Sequence, residues 1–351
     1  MTGTFTYDAL PMRVVFGSGS IEQLAAETDR LGLRRVLVLS TPQQRDLADR
    51  AAGLIGKSAV GVFDSARMHV PVETVEAAES VASELAIDGC VAVGGGSTIG
   101  LAKALALGSD LGIVAVPTTY AGSEMTPIWG ITKGDKKTTG RDRKVLPSSV
   151  IYDPDLTMTL PVPVSGTSGI NAIAHAVEAL YAPDGSPVIA AMAEQGIRDL
   201  ADALPALSAA PNDPRARATA LQGAWLSGAC LGATTMGLHH KLCHVLGGLL
   251  DLPHAETHAV MLPYVTAFNL PSARTAAAAL ARALRTDNAV TGLLALTADL
   301  GAPRTLLELG VNESDLTRVA DEVVSNPYSN PRSFTREELI ELLHNAWKGI
   351  H

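Results

Sequence analysis

Gly89-Cys90-Val91-Ala92-Val93-Gly94-Gly95-Gly96-Ser97-Thr98 decides the fold. A short apolar run, Gly89–Val93, reads as a buried strand. It feeds straight into three glycines and then into a helical pattern beginning near Ser97. Glycines let a backbone approach an anion closely and adopt dihedrals closed to other residues. The N-terminus of the next helix offers unpaired N–H groups and the positive end of its dipole. Ser97 or Thr98 can cap that helix and donate a hydroxyl. Gly94, Gly95, Gly96, Ser97 and Thr98 are therefore candidate phosphate-binding residues. The spacing is not G-x-G-x-x-G, and the Lys-Ser/Thr pair of a P-loop is missing, so the loop does not suggest an ATPase.

Outward from this stretch the pattern repeats. Arg35–Ser40 reads as a strand, Gln43–Leu54 as a helix, Ser58–Phe63 as a weaker strand and Val72–Leu85 as a helix; Ile113–Val116 is a further strand, ended by Pro117. Strands alternating with helices predict βαβ units and a mostly parallel sheet covered on both faces. Ligands of such sheets sit at the carboxyl ends of the strands. A second polar loop, Pro117–Glu124, follows Ile113–Val116, and its Thr118 and Thr119 suit a dinucleotide better than a single phosphate. After Arg35–Ser40 the chain has Ser40, Thr41 and Pro42 where many such folds place an acid for the ribose 2′-hydroxyl. Without that acid nothing repels a 2′-phosphate, so NADH and NADPH are both admitted.

Beyond Pro161 the texture changes. Ala/Leu-rich windows at helical spacing dominate: Thr167–Tyr181, Pro187–Leu204, Ala216–Gly232, His239–Leu250, Ala273–Leu284 and Thr335–Lys348. The expectation is an α/β domain over residues 1–158 and an all-α domain over 159–351, with the boundary near Asp153–Pro163. A length of 351 residues agrees with two domains, since single cores stop growing at about 250–300. The 47% hydrophobic and 18% charged content excludes a disordered chain.

A net charge of −9 argues against a nucleic-acid partner. It does not forbid an anionic small substrate, because local basic groups outweigh distant charge. Cys90, Cys230 and Cys243 are too few and too scattered for a disulfide framework, which fits a reducing cytoplasm. The opening MTGTFTYDAL lacks the marks of a signal peptide. Ala218–His240 has no Asp, Glu, Lys or Arg and approaches the length of a membrane span. Its glycines, hydroxyls and histidines make it a buried helix instead, so no membrane association is expected.

Five of nine histidines fall between positions 239 and 258: His239, His240, His244, His254 and His258. His240 and His244 stand i,i+4 on one helix face, and upstream Asn171 and His175 repeat the spacing. A lone histidine on an apolar helix is usually a satisfied core residue. Two spaced pairs with a third histidine ten residues on are more than that.

The set GGGS, PTT-x-x-GSE, N-A-x-x-H-A-x-E and H-x-x-x-H-x-L-G-G-x-x-x-x-P-H resembles the iron-containing alcohol dehydrogenase superfamily over essentially the whole chain. Within it, Met236–Pro263 is similar to the maleylacetate reductase branch, and Asn330-Pro331-Arg332 with the helix Thr335–Trp347 is similar to the family's ending. The resemblance implies a Rossmann-like domain followed by a helical one, with the active site in the cleft between them. It also implies hydride transfer from NADH or NADPH to the carbon–carbon double bond of maleylacetate, giving 3-oxoadipate in the breakdown of aromatic compounds. Members of this kind are commonly homodimers, and the run Val14-Val15-Phe16 could join a partner's sheet.

Three departures bear on the metal. Metal-dependent members place Asp where Asn171 stands, beside histidines corresponding to His175, His240 and His254. A neutral amide is a poor replacement for a hard carboxylate ligand. Gly100 stands where Asp is usual, and Tyr120-Ala121 where Ala-Gly-Thr is usual. The expectation is that no catalytic metal takes part. Hydride addition to a double bond conjugated with a ketone gives an enolate, which hydrogen-bond donors can stabilise without a Lewis acid. His240, His244 and His254 are candidates for that role and for proton delivery, with His175 and Asn171 completing the candidate catalytic set. Lys241, His258 and Tyr120 are candidate substrate contacts. Lys241, His239, His258 and the basic segment Lys133–Lys144 could supply positive charge for a dicarboxylate, most of that segment being read as a solvated hairpin. A metal-dependent alcohol or polyol dehydrogenase is the rival on the same scaffold. A nucleotide sensor without turnover has no use for such a histidine cluster.

Overall fold

The computed structural model describes residues 5–7, 9, 10, 12–134 and 136–350. Its contacts fall into two compact units. One is Leu10–Leu160. The other begins at Pro161 and includes the described residues ahead of Leu10, which the sequence reading had assigned to the α/β domain. The break falls between Leu160 and Pro161.

The first unit is built on a six-stranded sheet, ordered β1(Arg13–Phe16), β8(Ser149–Tyr152), β5(Gly112–Pro117), β4(Gly89–Gly94), β2(Val36–Leu39), β3(Ala59–Phe63). Every pairing in it is parallel. β2, β4 and β8 are buried at every position, as expected of strands covered on both faces. Side-chain parity divides the sheet between two cores. Leu37, Leu39, Cys90 and Ala92 pack with α3(Val72–Glu84) and α4(Gly96–Gly108). Val36, Val38, Val91, Val93, Val114 and Val116 pack with α1(Leu24–Arg30) and α2(Arg45–Ile55).

Two strands were not legible as parts of this sheet. Ser149–Tyr152 carries no distinct strand pattern, and Val14-Val15-Phe16 reads as a run able to join a partner's sheet. In this chain β1 lies parallel to β8, from Arg13 opposite Ser149 to Phe16 opposite Tyr152, at the edge of the sheet. The basic segment forms most of an antiparallel hairpin, β6(Ile128–Lys133) with β7(Lys136–Arg141), and Lys133 is exposed at its turn.

The second unit is helical: α5(Val162–Ala179), α6(Pro187–Ala209), α7(Pro214–Ala233), α8(Leu238–Leu250), α9(His254–Asn269), α10(Arg274–Leu284), α11(Ala289–Asp299), α12(Asp315–Ser325) and α13(Arg336–Lys348). Every residue of α5 from Ser165 to Ala179 is buried, so this helix is the unit's axis. The uncharged stretch is explained by close packing rather than by a bilayer. At the α6–α7 contact, a Cβ on Gly223 would stand 2.9 Å from the Gly196 carbonyl, so only glycine lets the backbones approach. The chain then leaves the helix at Thr234 before α8 begins. Among the described residues no helix is long and apolar enough to cross a membrane. Helix α9 escaped the sequence reading because it contains Pro263 in its interior and opens directly after Pro253.

Candidate functional site

The carboxyl ends of β2, β4 and β5 gather the polar loops. Gly94 has a φ of 152°, and a Cβ there would meet Thr98 Oγ1 at 2.5 Å and Gln44 Oε1 at 2.7 Å. A Cβ on Gly95 would stand 3.0 Å from the Thr119 side chain. Gly96 is different: a Cβ there meets nothing within 4 Å, so open space lies over the start of α4. That helix has no side-chain cap. The capping expected of Ser97 or Thr98 is not made, because the cap position falls on Gly95 and Thr98 Oγ1 is buried without a partner. First-turn N–H groups facing open space are what a phosphate requires. The second loop lies alongside, with the Thr118 N–H donating to the Gly94 carbonyl at 3.2 Å. Ser40 Oγ is buried without a partner at the end of β2, and Thr41 precedes the short turn Pro42–Gln44. A dinucleotide therefore has a fitting cradle.

Two residues here were missed. Gln44 Nε2 donates to Thr118 Oγ1 at 2.7 Å, tying the turn after β2 to the loop after β5. Lys103, fully buried on α4, donates to the carbonyls of Ser123, Thr126 and Ile128 and to Thr126 Oγ1, at 2.6–2.9 Å. Burial pulls its pKa down to about 7 against the opposing charge of Glu124. Beside it Glu124 is completely buried, accepting from the Tyr152 hydroxyl at 2.7 Å. Tyr120 is also completely buried in this unit. Gly100, on α4, would place a Cβ 2.7 Å from Val70 Cγ2, so no aspartate fits there without moving Val70.

The histidine residues assemble in the helical unit. His175 stacks on His240 with ring centroids 5.1 Å apart, and His258 lies 4.9 Å from His240 and 4.4 Å from His254. His244 lies 6.1 Å from His240 and 6.4 Å from His254. His239 Nε2 and His258 Nδ1 share a hydrogen bond of 2.9 Å. Thus α5, α8 and α9 bring six imidazoles together: His175, His239, His240 and His258 are buried, and His244 and His254 are exposed. Asn171 joins them on α5, its Oδ1 buried without a partner, as are His175 Nδ1, His240 Nε2 and His258 Nε2.

The sequence reading offered His239 and His258 as positive charges, and that part is corrected. Burial, reinforced by the neighbouring imidazoles, pulls His239 down to about 3 and holds His258 and His175 well below the ordinary histidine range. These three are neutral at physiological pH. Lys241, itself buried, is left as the cation on α8, with Nζ 5.5 Å from the Tyr328 ring centroid. Tyr328 also meets His244 edge-on, at 6.4 Å between centroids, and was not anticipated. Nor was Glu178, which is completely buried. Burial alone would raise its pKa, but His240, His239 and the Gly237 N–H together hold it below the usual carboxylate range.

Residues 165–347 match the C-terminal domain of the Fe-containing alcohol dehydrogenase family, and residues 11–154 match its iron-containing alcohol dehydrogenase domain. The chain belongs to the iron-containing alcohol dehydrogenase family. Within it, a maleylacetate reductase from Sphingobium indicum is 53% identical over 346 residues, covering 99% of this chain and 98% of that protein. The crystal structure of maleylacetate reductase from Agrobacterium tumefaciens matches with a TM-score of 0.96 at 49% identity, covering 99% of both chains. That of maleylacetate reductase from Rhizobium sp. matches with a TM-score of 0.95 at 49% identity, again over 99% of both.

The iron in the family's name can be tested against these residues. Asn171, an amide, stands where the resemblance places the aspartate of metal-dependent members. Among the described residues, the three metal-capable side chains whose donor atoms lie within 4.8 Å of one another are His239, Cys243 and His258, not His175, His240 and His254. Two of those donors are already hydrogen-bonded to each other. The nearby carboxylate, Glu178, is engaged with Gly237, His239 and His240. This grouping, a thiol with two mutually hydrogen-bonded imidazoles, lacks the free carboxylate that accompanies histidine at iron(II) sites.

Proposed function

We propose that this chain is a maleylacetate reductase, reducing the carbon–carbon double bond of maleylacetate to 3-oxoadipate at the expense of NADH or NADPH, without a catalytic metal. The observation that carries the reading is Asn171 set among six clustered imidazoles, four of them buried, on a chain 53% identical to a maleylacetate reductase. Gly94, Gly95, Gly96, Ser97, Thr98, Thr118, Thr119, Ser40, Thr41 and Gln44 would hold the nicotinamide cofactor, which when bound supplies the hydride.

The chain's own groups do the rest. Reduction of a conjugated double bond places negative charge on the ketone oxygen of the substrate. Imidazole N–H groups in a water-poor site stabilise that charge more than they would in water. Buried neutral imidazoles suit the task, since a donor need not carry a charge to polarise an enolate. His240, His244 and His254 are the groups for proton delivery. Lys241 anchors a carboxylate, and its closeness to Tyr328 shapes that corner. The same reading carries a homodimer and a cytoplasmic location. The three free, buried cysteines suit a reducing compartment.

Oxidation of NADH and NADPH followed with maleylacetate, and in parallel with simple aldehydes and ketones, tests the proposal. Turnover confined to maleylacetate and retained after exhaustive chelation is expected. Equal rates on plain aldehydes, or loss of activity restored only by iron or zinc, would overturn it. His244→Ala or His254→Ala should lower kcat by 100-fold or more with little change in cofactor affinity. Asn171→Asp tests the donor set directly. Restoring the carboxylate should raise affinity for a divalent ion, read by calorimetry.

A further inference from the structure

Glu178 is a completely buried carboxylate among the histidines, and its three contacts are specific. Oε2 accepts from the Gly237 N–H at 2.8 Å and lies 2.7 Å from His240 Nδ1; Oε1 accepts from the His239 N–H at 2.7 Å. Asn171, His175 and Glu178 stand at i, i+4 and i+7 on α5, so one face of that helix presents all three to the cluster. Gly237 and His239 begin α8, and a Cβ at Gly237 would stand 3.0 Å from both Glu178 Oε1 and the Ser329 carbonyl, so a larger residue would crowd the seated carboxylate. An ionised carboxylate accepts and does not donate. The ring nitrogen facing it therefore carries the hydrogen.

From this geometry we infer that Glu178 fixes His240 in the Nδ1–H tautomer, so that Nε2 is the single atom through which His240 exchanges a proton with the cluster. His240 Nε2 is buried and has no hydrogen-bond partner, as expected of a ring nitrogen kept for a ligand. Whether His240 is neutral or protonated, Nδ1–H stays on Glu178. Proton gain and loss are confined to Nε2. Glu178 is thus a positioning residue acting through His240, and the same contacts seat the start of α8 that carries His239, His240 and Lys241. The carboxylate contact on His240 is the feature that orients its ring nitrogens. The inference rests on the proposed reductase activity only for its kinetic consequence. The tautomer is a property of the protein alone.

Two measurements test it. Long-range 1H–15N NMR of protein labelled at histidine, with His240 assigned through His240→Asn, should show a neutral ring protonated at Nδ1 and bare at Nε2. A ring protonated at Nε2 and bare at Nδ1 would overturn the inference, whatever the enzyme reduces. The second is a double-mutant cycle in kcat with maleylacetate. His240→Asn keeps a donor toward Glu178 and removes Nε2. Glu178→Gln keeps the shape but cannot accept from all three donors. Each single variant should lose 30-fold or more in kcat, with the KM for NADH within about twofold. The pair should lose no more than His240→Asn alone. Multiplied losses would make Glu178 a mere cap of α8 and overturn the positioning role. Wild-type protein that shows the expected tautomer but no turnover of maleylacetate would refute the proposed activity and leave the tautomer standing.

Discussion

A methyl group at position 96 would stand in open space, whereas one at position 94 would strike Thr98 and Gln44. The two glycines look identical in sequence and differ in what they do. At Gly94 the φ of 152° is a conformation that side chains rarely adopt, so the residue is needed for the turn itself. At Gly96 nothing in the protein needs glycine, and the space is what an anion at the helix N-terminus would fill. Gly96→Ala should therefore leave the melting temperature within about 2 °C while raising the KM for NADH tenfold or more. Gly94→Ala should instead lower stability by roughly 1–3 kcal/mol, the usual scale of backbone strain. Wild-type cofactor affinity in Gly96→Ala, read by fluorescence titration, would show that no phosphate sits there. The glycine run was legible because three such residues between a strand and a helix have few other causes. Gln44 was not, because an isolated glutamine has no sequence signature and acquires its role only from the neighbour it reaches, Thr118.

Helix α4 shows how an element can mislead. Its sequence, GSTIGLAKALALG, is apolar all round apart from Lys103, which invites a solvent-facing reading of that lysine. Instead Lys103 points inward and meets three carbonyls and a hydroxyl of the segment Ser123–Ile128. Four acceptors are best matched by an ammonium, which carries three donors. The helix that opens on the glycine loop is in this way bolted to the chain that follows the second loop. Lys103→Met, similar in length but without donors, would leave buried acceptors unsatisfied, at a cost of about 1–3 kcal/mol for each group that finds no water. A loss of at least about 3 kcal/mol in urea unfolding is expected, with a higher KM for NADH. A change under about 1 kcal/mol would mean that Lys103 only fills space. The same limit explains α9 and β8. Both carry ordinary apolar residues, but α9 is interrupted by Pro263, and β8 is a four-residue strand whose assignment depends on pairing with β1 and β5.

At the scale of the whole chain, the N-terminal α/β pattern and the C-terminal helical pattern were legible because each repeats its own period many times. Which histidines meet could be anticipated from i,i+4 spacing within a helix. That all six would come together depended on α5, α8 and α9 meeting, which spacing within one helix does not encode. This assembly has a cost that depends on pH. His175, His239 and His258 have folded-state pKa values below the ordinary 6.5, through burial first and neighbouring imidazoles second. Once the pH falls below about 6.5 the unfolded chain takes up protons that the folded chain refuses. The stability that these three contribute is therefore complete above pH 6.5 and is lost progressively on acidification, for His239 down to about pH 3. Each such imidazole contributes a slope of up to about 1.4 kcal/mol per pH unit. Ordinary carboxylates titrate lower, so the window from pH 6.5 to 5.5 belongs mainly to histidine. Urea unfolding between pH 7.5 and 5.5 should show a midpoint that falls continuously once the pH passes below about 6.5. His258→Asn should make the fall shallower by about one proton's share. A midpoint unchanged down to pH 5.5 would mean that the cluster takes up protons within the fold, and that the imidazoles are less secluded than their packing requires.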